Sequence, residues 1–188
     1  MTRTFLRRTL LLPSLLAFGA LMAPAWTAAH AQARTQHAHV HGKAELTVAV
    51  DGPAVTIGME APLDSLLGFE RAPRTDVEKN LVEQMAARLR AADHLFKLDA
   101  AAGCKLGPVQ LDAPVIGLGQ GEAPKDGHAE LQASFAFNCA NTAKVRAVDT
   151  ELFEAFPHLR QIDAEIAAPD GQFKRSLKRP AARIEWGK

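Results

Sequence analysis

The sequence predicts an α+β fold, in which a mostly antiparallel sheet carries one long amphipathic helix on one face and a single disulfide. Three observations lead to this prediction. Several segments alternate apolar and polar residues with a period of two, which is typical of strands with one buried face. One segment repeats apolar residues at helical spacing. The chain of 188 residues also contains two cysteines, the number that one disulfide needs.

Residues 1–33 resemble a signal peptide, residues 34–42 a flexible His-rich arm, and residues 43–188 a single domain. Basic residues near the N-terminus precede an apolar stretch, which is the order found in secretory signals. The small residues of Ala31-Gln32-Ala33 predict cleavage before Arg34, and Ala29-His30-Ala31 is an alternative site. The apolar stretch is shorter than the roughly 20 residues of a membrane span, which favours cleavage over a retained anchor. Arg7-Arg8 leaves the twin-arginine export route open.

Export predicts a periplasmic protein, and no later segment is apolar and long enough to predict a transmembrane helix. The leader contains three basic residues, Arg3, Arg7 and Arg8, and no acidic residue. Its removal changes the net charge of the chain from +1 to −2. A near-neutral mature protein lacks the overall positive field of a nucleic-acid-binding protein, so we expect no nucleic-acid partner.

The first predicted strands form a hairpin after the arm. Apolar residues from Ala44 to Val50 alternate with polar ones, so that Lys43 and Glu45 lie on the solvent face. Asp51-Gly52 is a strong turn signal, and the alternation then continues to Met59. Residues 62–73, which follow, are predicted to be irregular or a short helical turn.

A long helix is predicted from the capping box of Thr75 and Glu78 to about Ala92. In a capping box the hydroxyl and the carboxylate satisfy free backbone N–H groups at the start of a helix. Behind it, apolar residues repeat every four positions: Val77, Leu81, Met85 and Leu89. We interpret this stripe as the face that packs on the sheet.

Cys104 and Cys139 are predicted to form a structural disulfide. Residues 104–113 and 128–137 resemble two strands, and in a hairpin they would place the cysteines opposite each other at its open end. The oxidising periplasm favours this bond. A redox pair is the alternative, but the CxxC spacing that it usually shows is absent. Three more strands are predicted at 161–166, 172–178 and 181–186.

Three histidines, His37, His39 and His41, alternate along the segment that leads into the first strand. In an extended chain they project from one face, with neighbours roughly 7 Å apart, so two rings can reach one ion. Imidazole is a favourable ligand for zinc, copper and nickel. His128 lies on the polar face of its predicted strand, and it completes the site if that strand neighbours the first. The alternative is an arm that is merely rich in histidine.

Catalytic motifs are absent from the sequence. It contains no GxSxG, no HExxH and no glycine-rich phosphate loop. Both cysteines are assigned to the disulfide, which leaves no thiol nucleophile. We therefore expect that the protein is not an enzyme.

The chain resembles the zinc-uptake-regulated periplasmic proteins, the ZrgA-like family long classed as a domain of unknown function. The resemblance rests on the order and spacing of landmarks along nearly all of the mature chain. They are His39-Val40-His41-Gly42, Ala44, Leu46, Asp51-Gly52, Gly68-Phe69-Glu70, Pro73, Glu78, Leu95-Phe96, Ala102-Gly103-Cys104, Phe137-Asn138-Cys139, Leu152-Phe153 and Phe156-Pro157. His39 and His41 match the family's opening motif.

The resemblance implies a periplasmic protein that binds zinc and buffers it or delivers it to an uptake system. The implied partners are the zinc ion and a zinc importer or its periplasmic binding protein. Family members often carry a long His- and Asp-rich run between the cysteines, but Pro114–Gly127 contains no histidine. This departure favours one zinc site over several. The alternative function is an envelope interaction module that binds no metal and whose expression follows zinc status.

Overall fold

The computed structural model describes residues 40–120 and 129–187. The predicted signal peptide and most of the predicted arm lie outside these residues. All described residues belong to one compact unit of the chain. None of the helices within the described ranges is long and apolar enough to cross a membrane.

Within the described ranges the chain forms nine strands and four α-helices. The strands are β1 (Lys43–Asp51), β2 (Ala54–Pro62), β3 (Phe96–Leu98), β4 (Cys104–Asp112), β5 (Glu130–Cys139), β6 (Ala147–Thr150), β7 (Gln161–Ala168), β8 (Gly171–Lys178) and β9 (Arg183–Glu185). The helices are α1 (Leu63–Leu67), α2 (Asp76–Arg90), α3 (Ala92–Leu95) and α4 (Leu152–Ala155).

Six strands form a larger sheet in the order β4-β5-β2-β1-β7-β8. Neighbouring strands are antiparallel except β1 and β7, which run parallel. The smaller sheet is antiparallel, in the order β3-β6-β9. Because β1 and β7 are parallel, with Lys43 opposite Gln161, both strands begin at the same end of the larger sheet.

The predicted fold class, an α+β fold with one long amphipathic helix on a single sheet, is wrong. The structure is mostly β, with 46% strand against 26% helix, and it has two sheets. The smaller sheet packs on the larger one, since the rings of Phe96 in β3 and Phe135 in β5 lie 5.1 Å apart. Its strands are only three or four residues long. In β3 and β6, alternation over so few residues is too short to predict a strand.

The helix α2 begins as predicted, and it buries the C-terminal part of the predicted stripe. Thr75 and Glu78 form the predicted capping box. Met85 and Leu89 are buried as predicted, together with Val82 and Ala86, which widen the stripe. However, Val77 and Leu81 are 71% and 41% exposed. Each residue of a helix turns by about 100°, so a strict four-residue repeat drifts by about 40° per step. The predicted stripe therefore rotates away from the core at its N-terminal end.

Both predicted hairpins are confirmed. β1 and β2 pair around Asp51-Gly52, and the apolar residues of β1 face the core as the alternation predicts. β4 and β5 pair with Cys104 opposite Cys139, and the two cysteines form the predicted disulfide. The predicted strand at 181–186 is present as β9, but it belongs to the smaller sheet. Ile184 and Trp186 are buried, as predicted.

Candidate metal centre

Of the four predicted metal ligands, His41 lies among the described residues, and His37, His39 and His128 lie outside them. His41 occupies the turn that leads into β1, and its side chain is 55% exposed. The residues that follow two of the other ligands in sequence, Val40 and Ala129, are described.

The helix α1 lies beside both His41 and the beginning of β5. The N–H of Leu63 donates to the carbonyl of Ala129 at 2.9 Å. The N–H of Gly42 donates to Oγ of Ser65 at 2.8 Å. The sequence prediction required the strand after His128 to neighbour β1, but β2 lies between β1 and β5. The turn at His41 and the beginning of β5 are therefore linked through α1, which contacts both, and their strands do not pair with each other.

Gly42 fixes the backbone next to His41. Its carbonyl accepts hydrogen bonds from the N–H groups of Arg160 and Gln161, at 2.7 and 3.0 Å. Its φ of +78° belongs to the left-handed region that favours glycine. A Cβ at this position would lie 2.6 Å from Nε of Arg160. The residue after His41 is therefore held through both its N–H and its carbonyl, in a conformation that suits glycine.

The imidazole of His41 lies between two carboxylates. Nδ1 is 3.4 Å from Oδ2 of Asp64, and Nε2 is 3.2 Å from Oε1 of Glu70. The Glu70 side chain is mostly buried, at 15% exposed, and Asp64 is half-buried. Each ring nitrogen thus faces a different acidic oxygen.

A short helix and its left-handed cap place these two acids. Asp64 lies in the first turn of α1. Gly68 ends the helix with a φ of +82°, and its N–H donates to the carbonyl of Asp64 at 2.9 Å. This left-handed end is the common way for a helix to stop at glycine. The chain that follows carries Glu70 back to His41.

The segment after Glu70 is held by a second acid–base pair. The two terminal nitrogens of Arg71 donate to the two carboxylate oxygens of Glu78, at 3.1 and 2.8 Å. The backbone N–H of Arg74 donates to the same carboxylate at 2.6 Å. These bonds, that from Arg71 first, lower the pKa of Glu78 to about 2. Glu78 therefore binds Arg71, which is always charged, and caps the start of α2.

His41 and Glu70 have the separation of two zinc ligands. Zinc–nitrogen and zinc–oxygen bonds of about 2.0–2.1 Å at a tetrahedral angle place the two ligand atoms about 3.3 Å apart. The observed distance is 3.2 Å. Zinc-bound histidines commonly donate their other ring N–H to a carboxylate, which is the position of Asp64 on Nδ1. Among the described residues no group of three or more His, Cys, Asp or Glu side chains is arranged to hold a metal.

The same arrangement also suits a protonated His41. A protonated imidazole donates through both nitrogens, and the two carboxylates would stabilise its charge. Zinc requires a neutral imidazole, so zinc and the proton compete for Nε2. The cluster of His41, Asp64 and Glu70 is thus a three-residue ion pair when the imidazole is protonated, and it offers zinc two ligand atoms, Nε2 of His41 and Oε1 of Glu70, when the imidazole is neutral.

Sequence reasoning missed both Asp64 and Glu70. They lie in the stretch 62–73, which the sequence predicts to be irregular or a short helical turn, and no ligand spacing joins them to His41. The signal that could have found Glu70 is its place in the landmark Gly68-Phe69-Glu70. That landmark carries an acid two residues after a glycine, and no periodicity assigns this acid a role in packing.

A model of the ZrgA family zinc uptake proteins matches residues 38–186. Because the match covers most of the chain, the protein belongs to this family, and the resemblance found in the sequence is confirmed. Its role is therefore related to zinc. The family and the disulfide are consistent with an extracytoplasmic protein. No protein in the curated set matches the chain.

Proposed function

We propose that this protein is a periplasmic zinc-binding accessory protein, which buffers zinc or delivers it to an uptake system. The observation that carries the proposal is His41, whose Nε2 lies 3.2 Å from Oε1 of Glu70. In this proposal both atoms bind the metal and Asp64 orients the imidazole. The family supplies the identity of the ion.

The remaining ligands are proposed to be His39 and His128, with His37 as a further candidate. These residues lie outside the described ranges, and the support comes from the positions next to them in sequence. Val40 directly precedes His41, and the carbonyl of Ala129 accepts a hydrogen bond from the first residue of α1. Since adjacent Cα atoms are 3.8 Å apart, His39 and His128 each begin one residue from a segment that borders the site.

The exposure of the site supports a carrier in place of a catalyst. His41 is 55% exposed, so a bound ion is accessible to a second protein. A site with few protein ligands and an open side favours exchange over permanent retention. We propose that the protein has no enzymatic activity, and that its partner is a zinc importer or the periplasmic binding protein of one.

Location in the periplasm is part of the proposal. The leader at residues 1–33 and the disulfide between Cys104 and Cys139 support it, because disulfides persist in oxidising compartments. Cleavage before Arg34 is expected. The intact mass of protein isolated from the periplasm tests this, and a species that retains residues 1–33 would contradict it.

Zinc binding is tested on the mature, untagged protein by competition with a chromophoric chelator. We expect His41→Ala to weaken zinc binding by about a hundredfold or more, since it removes a ligand. His94→Ala is the matched control, because His94 is an exposed histidine in α3, beyond the C-terminal end of α2. If wild type and His41→Ala compete equally well, His41 does not bind zinc. The alternative function, an interaction module that binds no metal, then gains support.

A further inference from the structure

A fully buried hydroxyl lies next to the proposed zinc site. Ser65 is 0% exposed and follows Asp64 on α1. Its Oγ accepts the hydrogen bond from the N–H of Gly42 at 2.8 Å, a contact between residues 23 positions apart. Thr150 is the other buried polar residue in the described part of the chain.

This hydrogen bond acts on the peptide group that joins His41 to Gly42. The N–H of Gly42 belongs to that peptide group, so the bond fixes the plane of the backbone directly after His41. Two consecutive residues of α1 therefore hold His41. Ser65 holds its backbone, and Asp64 contacts its ring at Nδ1.

Exposed side chains are not held by packing, and the His41 side chain is more than half exposed. Its orientation therefore depends on these polar contacts. A ligand that is fixed before the metal arrives loses less conformational freedom on binding. The hydroxyl of Ser65 supplies such fixing from inside the core, where water does not compete for the hydrogen bond.

We propose that Ser65 is a positioning residue for zinc, which locks the peptide after His41 so that Nε2 faces Glu70. Ser65 does not contact the metal. The inference rests on the zinc site proposed above, and it adds that the affinity of that site is set partly by a hydroxyl in the core.

Thr150 offers a matched control. Its Oγ1 accepts a hydrogen bond from the N–H of Leu152 at 3.2 Å, in the smaller sheet. Loss of either hydroxyl leaves a buried N–H without its partner, and such groups destabilise the folded state. Ser65→Ala and Thr150→Ala therefore both lose stability, but only Ser65→Ala frees the backbone of His41.

The first test measures zinc affinity by chelator competition, together with thermal unfolding without metal, on the mature chain. We expect both variants to unfold at lower temperature than wild type. Ser65→Ala should bind zinc about tenfold to a hundredfold more weakly, the usual cost of losing an outer partner of a metal ligand. Thr150→Ala should stay within about twofold of wild type, as distant sites do.

Equal affinity of Ser65→Ala and wild type would overturn the positioning role, and so would an equal loss in both variants. Failure of the wild type to bind zinc would instead overturn the proposed function, and this inference with it.

The second test uses the wild type alone, so it tests the positioning role of Ser65 even if Ser65→Ala does not fold. If the hydrogen bond between Gly42 and Ser65 favours zinc binding, zinc must favour the hydrogen bond to the same extent, because coupling is reciprocal. Amide hydrogen exchange of Gly42, followed by NMR, should slow by about tenfold or more when zinc is bound. Exchange at Leu152 should not change. A Gly42 rate that zinc leaves unchanged would overturn the inference.

Discussion

The two ends of β2 are stabilised in opposite ways. At one end, next to the turn at Asp51-Gly52, the N–H of Cys139 donates to the carbonyl of Pro53, and the disulfide joins β4 to β5. At the other end, β2 leads into α1, which contacts His41 through hydrogen bonds and ion pairs. The first end is held by a covalent bond, and the second is held by polar contacts around the exposed side chain of His41.

This difference indicates a division between scaffold and site. A domain in which a disulfide joins two strands at one end of the sheet tolerates weak and exchangeable contacts at the other end. Within the α1 end the same division recurs between two acids. Glu78 is bound by Arg71, which is always charged, whereas Glu70 faces His41, which is a cation only when protonated.

The largest effect is expected at the covalent end. The disulfide joins residues that are 35 positions apart, and the chain-entropy estimate for a loop of this length is about 4 kcal/mol. Cys104→Ala/Cys139→Ala should therefore lower the free energy of unfolding by about this amount, as measured with urea. Zinc affinity of the folded double mutant should match wild type within about twofold, because the bond lies at the far end of β2. A tenfold loss of zinc affinity would contradict the division between scaffold and site.

The next effect separates the two acids at the α1 end. We expect Glu70→Gln to weaken zinc binding by about a hundredfold, because it removes a charged ligand. Glu78→Gln should change zinc affinity by less than about fivefold. An exposed ion pair contributes little free energy, and about fivefold is the largest change in an equilibrium constant that its loss causes. Its thermal unfolding temperature should nevertheless fall, because Arg71 loses its charged partner. Chelator competition and thermal unfolding of both variants measure the contrast, and equal losses of affinity would contradict it.

Much of the fold was predictable where the signal is local. The capping box of Thr75 and Glu78 uses neighbouring residues, and the turn at Asp51-Gly52 joins adjacent strands. The disulfide follows from two strands that are consecutive in the larger sheet. The smaller sheet was missed because it pairs segments from three distant parts of the chain, and two of them, β3 and β6, are too short for a periodic pattern.

The candidate site was predictable only in part for a similar reason. His41 belongs to a visible pattern of alternating histidines. Asp64 and Glu70 reach it only because the antiparallel pairing of β1 and β2 places α1, which follows β2, beside the turn at Gly42. No spacing in the sequence encodes a contact of this kind, so its residues become apparent only in three dimensions.

A third prediction compares two glycines at opposite ends of β1, Gly42 before it and Gly52 after it. Gly42 and Gly52 both have positive φ, at +78° and +52°. An L-residue in this region costs about 1–2 kcal/mol, so Gly42→Ala and Gly52→Ala should each lose about this much stability. A Cβ at Gly52 meets no atom within 4 Å, whereas one at Gly42 meets Arg160. Gly42→Ala should therefore also weaken zinc binding by about tenfold, as a displaced ligand does, and Gly52→Ala should not. Equal zinc affinities would show that the backbone at Gly42 does not position the site.

The smallest effect concerns Asp163, which lies on β7 close to the α1 end. Partial burial raises the pKa of Asp163, but hydrogen bonds from Ser176, Lys43 and Gln161 outweigh it and lower the pKa from its ordinary value of 3.8 to about 2. A carboxyl whose pKa is lower in the folded state stabilises that state at pH values above 3.8, and this contribution is lost as the pH falls toward 2.

Asp163→Asn should therefore be less stable than wild type at neutral pH, by less than about 1 kcal/mol because the pair is partly exposed. The gap in thermal unfolding temperature between wild type and variant should be constant from pH 7 to about 5 and should narrow progressively below pH 4. The measurements are made without zinc, so that protonation of His41 does not enter through metal release. Asp163 contacts Lys43 and not His41, so zinc affinity at neutral pH should be the same in both proteins. A gap that widens as the pH falls would show that the carboxylate of Asp163 destabilises the fold, and a loss of zinc affinity would extend the site from α1 to the face of the larger sheet.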